Sequence, residues 1–271
     1  MSLSLPTKSR RPQRRWLHFT LAAACYAGIS CSDGAVGAGP EADTSGRLYN
    51  RVVAPTLTVQ TGLSVQSVTP ESRPFGLYVP LGYNPAEQWP LVVMLHGYGG
   101  SGEGTALDFR QYAESAGIVL VAPNSRAPTW DRLLNADAEY GIDIAHIDAV
   151  LKWAFQRIAV DPARISMSGF SDGATYSILI GLKNGDLFSR VAAFTPCANV
   201  PSNRLGMPLV FISHGIHDLV LPIDDCSRFT VPALRERGYE VEFVEYPSEQ
   251  GNGHFVTADV LQQGMDWMAG R

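Results

Sequence analysis

Short apolar runs rich in β-branched residues alternate with longer segments of helical periodicity along most of the chain. Such alternation is typical of a mostly parallel sheet with helices on both faces, and it predicts an α/β fold. The predicted strands cover residues 73–79, 91–95, 118–122, 164–167, 190–194, 208–213 and 240–246.

The clearest helical pattern consists of five apolar residues, each three or four positions after the one before it, which places them on one helix face. They are Ile144, Ile147, Leu151, Phe155 and Ile158. Further helices are predicted over 108–116, 172–182, 225–237 and 255–268. Pro232 interrupts the third of these, and Gly238 is its expected cap.

The first 31 residues have the pattern of an export signal. A basic run ending at Arg15 precedes the largely apolar stretch 16–30, which is too short for a comfortable membrane span. We therefore predict a signal peptide over 1–31. Two modes of processing stay open. Cys31 with the polar stretch after it resembles the lipidation site of a bacterial lipoprotein, whereas Val36 and Ala38 fit cleavage after Ala38.

The first mode gives a periplasmic or cell-surface lipoprotein that is attached to the membrane only through its lipidated N-terminus, and the second gives a secreted protein. Residues 32–50 are rich in Gly, Ala, Ser and acidic residues, which predicts a flexible linker. The remainder, 51–271, contains no second linker or repeat and is predicted to be one domain.

Charge is distributed unevenly along the 271 residues. Five of the 21 Lys and Arg residues lie in 1–31, whereas all 26 Asp and Glu residues follow, so the body carries a net charge of −10. A body this acidic, without a basic stripe, excludes nucleic acid as the expected partner.

Ser171 lies in the sequence Gly169-Phe170-Ser171-Asp172-Gly173, between a predicted strand and a predicted helix. In that context the G-x-S-x-G pattern indicates a nucleophile elbow, because a sharp strand-to-helix turn leaves no room for side chains beside the serine. The alternative is a Gly-rich turn in which the serine only caps the helix.

A serine nucleophile needs a base, and the base needs an anion that fixes its tautomer. In this arrangement the partners follow the serine in the order Asp or Glu, then His. Asp218 follows the strand 208–213, whereas Asp224 and Asp225 are more simply explained as first-turn acids of a helix. His254 follows the last strand and fits the chain order. The other histidines are interpreted as hydrogen-bonded structural residues or as part of the signal: His18, His96, His146, His214 and His217.

A second Gly-rich segment, Leu95-His96-Gly97-Tyr98-Gly99-Gly100, follows the strand 91–95. The backbone N–H groups of Tyr98 and Asp172 are the predicted donors of an oxyanion hole. No Lys-Ser or Lys-Thr follows the glycines, so a nucleotide phosphate loop is excluded. No metal or organic cofactor is implied.

Four segments taken together, HGYGG, GFSDG, HGIHDLVLP and NGHF, resemble the α/β-hydrolase superfamily. Within it they are similar to the phospholipase/carboxylesterase branch and to bacterial polyester depolymerase and feruloyl esterase relatives. The resemblance covers residues 70–270. It implies Ser171 as nucleophile with Asp218 and His254 as partners. Two departures are Asp172, where much of the thioesterase-like branch has Gln, and the stretch 248–253, which lengthens the approach to His254.

The interval 195–207 has no room for a lid domain, so an open cleft suited to soluble, bulky or polymeric esters is expected. The longest connection, 123–141, contains Trp130, which is predicted either to wall the substrate pocket or to hold the loop on the core as a buried plug. Tyr98 and Phe255 are further pocket candidates.

Cys197 and Cys226 follow strands that end at the sheet edge of Asp218, and an exported protein permits a disulfide between them; two buried thiols are the alternative. The combined prediction is a serine hydrolase that cleaves carboxylic esters through an acyl-enzyme. A peptidase or an acyltransferase on the same triad, or a non-catalytic surface binding module, are the alternatives.

Overall fold

An eight-stranded sheet forms the centre of the structure, a computed structural model that describes residues 45–134 and 140–271. Six strands agree with predicted ones to within two residues at each end. The strands are β1 (Gly62–Ser67), β2 (Pro74–Val79), β3 (Trp89–Leu95), β4 (Val119–Pro123), β5 (Val160–Phe170), β6 (Arg190–Phe194), β7 (Leu209–Gly215) and β8 (Val241–Tyr246).

The strands lie in the order β1-β2-β4-β3-β5-β6-β7-β8. β1, β2 and β4 pair in antiparallel fashion, and β4, β3 and β5 to β8 pair in parallel. After β3, the chain places β4 on one side of β3 and then β5 to β8 on the other side. The carboxyl ends of β3 and β5 therefore flank the point at which the direction of growth reverses, where open α/β sheets collect their ligand chemistry.

Helices cover both faces of the sheet, which confirms the predicted α/β-hydrolase fold class. Val92 and Met94 of β3 point to the face covered by α1 and α6, whereas Val93 and Leu95 point to the face covered by α3 and α4. The connection from β6 to β7, residues 195–208, carries no lid domain. The helices are α1 (Gly102–Ala116), α2 (Asp131–Leu134), α3 (Ile142–Phe155), α4 (Asp172–Lys183), α5 (Ser227–Arg235) and α6 (Ala258–Ala269).

Helix α1 begins six residues before its predicted start. Ser101 caps the helix by accepting a hydrogen bond from the Gly104 N–H group, at 3.1 Å. Gly102 is needed because a Cβ there would lie 1.9 Å from the carbonyl oxygen of Ala122. Gly102 and Gly104 lower the helix propensity of this segment. The close packing of α1 against β4 outweighs this local disadvantage.

Strand β1 was not predicted. Leu63 and Val65 of this edge strand are exposed, so the strand lacks the buried apolar face on which the hydrophobic pattern depends. Its formation depends on antiparallel pairing with β2, a long-range interaction that no local pattern reports.

Residues 45–50, assigned to the flexible linker from composition, are held on the domain. Leu48 is fully buried, and its N–H group donates to the Asn184 side chain at 2.8 Å. The Arg47 guanidinium pairs with Asp186, and the N–H of Asn50 donates to Asp148. The linker prediction is therefore wrong for 45–50. The rest of the linker, the signal peptide and Cys31 lie outside the described residues.

Within 45–134 and 140–271, no helix combines the length and the apolar character that a membrane crossing requires.

His146 is buried on α3, and its Nε2 atom has no hydrogen-bond partner among the described residues. Burial, with a smaller contribution from Arg73, lowers the pKa of His146 from 6.5 to about 4. The unfolded chain therefore binds this proton more tightly than the folded chain. The stability associated with neutral His146 is complete above pH 6.5 and is lost as the pH falls towards 4.

We expect wild-type protein to lose about 2 kcal/mol of unfolding free energy through His146 between pH 7 and pH 5. Urea unfolding of His146→Leu across this range should give a correspondingly shallower pH slope. The exposed His217 offers the control His217→Leu, which should keep the wild-type slope. Equal slopes for all three proteins would contradict the assignment.

Candidate active site

Ser171 lies at the sharp turn that joins β5 to α4. Its φ is 56° and its ψ is −120°, a left-handed conformation that is unfavourable for a residue with a side chain. A Cβ on Gly169 would lie 2.3 Å from the carbonyl carbon of Gly173, and one on Gly173 would lie 2.2 Å from the carbonyl oxygen of Leu95. Only glycine fits either position, so the predicted strand-turn-helix arrangement is present for the reason that the sequence suggested.

The side chains of Ser171, His254 and Asp218 form a hydrogen-bonded row. The Nδ1 atom of His254 lies 2.7 Å from Oδ2 of Asp218, and its Nε2 atom lies 2.8 Å from Oγ of Ser171. Because a carboxylate only accepts, Nδ1 carries the proton, and the Nε2 lone pair faces the serine hydroxyl. The second oxygen of Asp218 accepts from the N–H groups of Val220 and Leu221, each at 2.9 Å. The carboxylate is thus buried and fixed at both oxygens.

Contacts between two loops hold His254 over the carboxyl edge of the sheet. Leu219, beside Asp218, donates its N–H to the carbonyl of Asn252 at 2.9 Å. A Cβ on Gly253 would lie 2.1 Å from the carbonyl oxygen of His217. The stretch 248–253, which the sequence marked as an unusual extension, therefore packs against the loop that carries Asp218.

The loop after β3 approaches Ser171 from the other side. A Cβ on Gly97 would lie 3.3 Å from Cβ of Ser171, so the backbone of this loop is in close contact with the elbow. The N–H groups of Tyr98 and Asp172 make no hydrogen bond to a turn, loop or side-chain acceptor within 45–134 and 140–271. Asp172 is the first residue of α4, where a helix leaves its N–H unpaired and carries a partial positive charge.

His96 fixes the orientation of the Gly97–Tyr98 peptide. The Ser125 N–H donates to Nε2 of His96 at 3.1 Å, so Nδ1 carries the proton and donates to the Gly97 carbonyl at 2.8 Å. The N–H of Gly100 donates to the same carbonyl at 3.0 Å. In a trans peptide the carbonyl and the next N–H point in opposite directions, so the Tyr98 N–H is directed away from His96. Burial lowers the pKa of His96 and keeps the ring neutral.

Trp130 is fully buried and does not wall a pocket. Its indole N–H donates to the carbonyl of His96 at 3.0 Å, and its ring stacks on Tyr176 with centroids 5.3 Å apart. Of the two roles considered from the sequence, the plug is correct and the pocket wall is wrong. Arg132 and Tyr140, from the same connection, line a cavity of about 420 Å³ that includes Thr175 and lacks Ser171.

A recess of about 250 Å³, which Ser171 itself does not line, lies next to the hydrogen-bonded row on the side of Phe170. Its wall includes Gly97 and Tyr98 of the β3–α1 loop, Phe109 of α1, and Phe170, whose ring lies 5.2 Å from that of His254 between centroids. One acidic side chain, Asp108, also lines it. Phe255 is half-buried and is not among the described residues that line this recess.

The predicted pairing of Cys197 with Cys226 is present as a disulfide. It joins the connection after β6 to the start of α5, and the segment that carries Asp218 lies between β7 and α5. No group of three His, Cys, Asp or Glu side chains suited to a metal ion occurs in the part of the chain that the structure describes.

Comparison with known proteins identifies relatives of the whole domain. Residues 67–214 match the family described as "Putative esterase". The probable feruloyl esterase C of Aspergillus terreus is 27% identical over 76% of this chain and 74% of its own length. The feruloyl esterase C of Emericella nidulans is 26% identical over 69% of this chain and 70% of its own length. A thermostable esterase of known structure shares the fold, with a TM-score of 0.63 at 22% identity, over 76% of this chain and 62% of that one.

Fold and comparisons together define a serine hydrolase of the α/β-hydrolase type that acts on carboxylic esters. The chain belongs to the "Putative esterase" family.

Proposed function

We propose that this protein hydrolyses carboxylic esters with Ser171 as nucleophile, His254 as general base and acid, and Asp218 as the anion that orients His254. The observation that carries the assignment is the row of hydrogen bonds from Asp218 to His254 and from His254 to Ser171, at 2.7 and 2.8 Å. The His254 tautomer in this row is the one that a serine nucleophile requires.

In the first half of the reaction, Oγ of Ser171 attacks the ester carbonyl carbon and its proton moves to Nε2 of His254. The carbonyl oxygen becomes an oxyanion, and the N–H groups of Tyr98 and Asp172 stabilise it. Collapse of the tetrahedral intermediate breaks the bond to the alcohol oxygen, which takes the proton from His254. Water then repeats these steps on the acyl-enzyme, releasing the carboxylic acid and restoring Ser171.

The test is fluorophosphonate labelling of the wild-type protein together with turnover of acyl esters, matched amides and added alcohol acceptors. We expect one covalent label on Ser171 and hydrolysis of the esters. Faster turnover of amides would favour the peptidase alternative, and predominant transfer to the alcohol would favour the acyltransferase. Absence of a label on Ser171 would overturn the catalytic assignment.

The recess beside the row accommodates an aromatic acyl group. Tyr98, Phe109 and Phe170 supply aromatic faces for stacking. Asp108 lines the same recess, so its carboxylate is available to accept a hydrogen bond from a ring hydroxyl of the acyl group. The feruloyl esterases among the relatives support a hydroxycinnamoyl ester as the substrate. The open cleft also accommodates an ester carried on a polymer chain.

Replacing Asp108 with asparagine should weaken selection for a ring hydroxyl. We expect wild-type protein to prefer methyl 4-hydroxycinnamate over methyl cinnamate by about tenfold in kcat/KM, since a hydrogen bond to a charged group contributes about 1.5 kcal/mol. In Asp108→Asn this ratio should fall several-fold and stay above one, because the amide oxygen still accepts a hydrogen bond but carries no charge, with turnover of methyl cinnamate unchanged. The exposed Asp259 provides the control Asp259→Asn, and an unaltered ratio in Asp108→Asn would remove Asp108 from the acyl site.

The N-terminal segment directs export. Residues 1–31 act as the signal. The Cys197–Cys226 disulfide supports an oxidising destination. Mass spectrometry of the mature N-terminus distinguishes a lipidated Cys31 from cleavage after Ala38, and retention of residues 1–31 would contradict export through this signal.

A further inference from the structure

His214, at the end of β7, lies against the carboxylate that orients the proposed base. The ring is fully buried, with Nε2 3.4 Å from Oδ2 of Asp218 and 2.8 Å from the carbonyl oxygen of Leu221. Both neighbours of Nε2 only accept hydrogen bonds, so Nε2 must carry a proton. The same Oδ2 atom accepts the bond from His254 at 2.7 Å. One carboxylate oxygen of Asp218 therefore faces two imidazole N–H groups.

Ser227 supplies the hydrogen-bond partner of the other ring nitrogen of His214. Its hydroxyl oxygen lies 2.6 Å from Nδ1 of His214. Burial lowers the pKa of His214, so the ring is neutral and Nδ1 accepts the hydroxyl proton while Nε2 keeps its own. The opposite tautomer would direct a lone pair at the Leu221 carbonyl and the Asp218 carboxylate, which is unfavourable in a buried site.

The neutral state of His214 suits this position. A second imidazolium beside Asp218 would compete with His254 for the carboxylate and would repel the positive charge that His254 acquires during the reaction. A neutral N–H fixes the loop through Leu221 and limits the movement of Oδ2, while leaving the charge of Asp218 available to His254.

The disulfide anchors the other end of this arrangement. Ser227 follows Cys226 directly, and its hydroxyl oxygen lies 3.4 Å from the carbonyl of Pro196, the residue before Cys197. The Cys197–Cys226 bridge thus joins the segment that contains Ser227 to the segment that contains Pro196.

We infer that His214 is a positioning residue for Asp218 and that Ser227, held by the disulfide, fixes the orientation of the His214 ring by donating to Nδ1. The inference rests on the proposed role of Asp218 as the orienting anion. A sequence of contacts, from Ser227 to His214 to Asp218 to His254, then connects the disulfide to the reacting serine.

The test compares His214→Phe, His214→Gln and Ser227→Ala. We expect His214→Phe to lower kcat by about 10²-fold with little change in KM, because a small displacement of a catalytic group is costly. Glutamine can place an N–H donor where Nε2 lies, so His214→Gln should recover most of that loss. Ser227→Ala leaves Nδ1 of the buried His214 ring without its hydrogen-bond donor, which loosens the ring, and should give an intermediate kcat.

The proton between His254 and Asp218 supplies an independent measurement. We expect its low-field ¹H NMR resonance to shift or broaden in His214→Phe and to stay near the wild-type position in His214→Gln. His217 is an exposed histidine in the loop that follows β7. It supplies the control His217→Phe, which should match wild type in kcat and in this resonance.

A purely structural His214 would predict lower thermal stability of His214→Phe with wild-type kcat and resonance, and that result would overturn the inference. If His214→Phe does not fold, His214→Gln and Ser227→Ala still decide it, because wild-type kcat and resonance in Ser227→Ala would exclude a contribution of the Ser227–His214 hydrogen bond to the position of Asp218. Failure of the proposed function can be distinguished from failure of this inference, because Asp218→Asn would then retain activity.

Discussion

Replacing Ser171 with alanine is expected to lower kcat by about 10⁴-fold or more and to abolish fluorophosphonate labelling. The substitution removes the Oγ atom that lies 2.8 Å from Nε2 of His254 in the wild type, and no acyl-enzyme can form without it. The oxyanion donors and the bound substrate leave only weak residual turnover. Steady-state hydrolysis of a chromogenic ester and intact-protein mass after labelling provide the measurements.

Two further variants separate loss of chemistry from loss of fold. Ser171→Gly should be equally inactive, and it should be at least as stable as Ser171→Ala, because glycine adopts the φ of 56° at this turn without strain. The exposed Ser202 provides the control Ser202→Ala, for which wild-type kcat is expected. Substantial ester turnover in well-folded Ser171→Ala would transfer the nucleophile to another residue.

Replacing Asp218 with asparagine is expected to lower kcat by about 10³- to 10⁴-fold at neutral pH with the fold intact. Oδ1 of Asp218 accepts two backbone N–H bonds, so the asparagine carbonyl must occupy that position and its NH₂ group must face His254. A donor opposite Nδ1 stabilises the tautomer with the proton on Nε2. His254 would then direct a proton at Ser171 and could not accept one.

The matched control for Asp218→Asn is Asp225→Asn. Asp225 is an exposed acid near the start of α5 and was one of the alternatives considered from the sequence. We expect it to keep wild-type kcat, and circular dichroism with urea unfolding should show that both variants fold. A large loss in Asp225→Asn, with near-normal activity in Asp218→Asn, would assign the orienting acid to Asp225.

Elements with a strong local pattern were predicted well. Strand β6 coincides with its predicted range, and α4 extends one residue beyond its predicted end. The face predicted for α3 is buried, although Ile158 lies beyond the end of the helix. In these cases the alternation of apolar and polar positions agrees with the burial that the sheet imposes, so local and long-range preferences coincide.

The errors occur where long-range contacts outweigh local preference. Composition predicted a flexible segment up to residue 50, whereas Leu48 is buried and Arg47 pairs with Asp186, 139 residues away. Trp130 had two plausible roles, and only its position beneath His96 decided between them. His214 begins the HGIHDLVLP segment, but from the sequence it was interpreted only as a structural histidine. Its role emerged only when β7 and α5 were in place.

The sequence by itself determined the kind of chemistry. Gly169 and Gly173 restrict the turn at Ser171, because a larger residue does not fit at either position. An acid and a histidine later in the chain supply the partners of the serine, because a serine nucleophile needs a base and the base needs an anion that fixes its tautomer. Only the tertiary structure decided which wall lies beside the serine and which buried groups support Asp218. Those relations depend on segments that lie far apart in sequence and are brought together at one sheet edge by parallel pairing and burial.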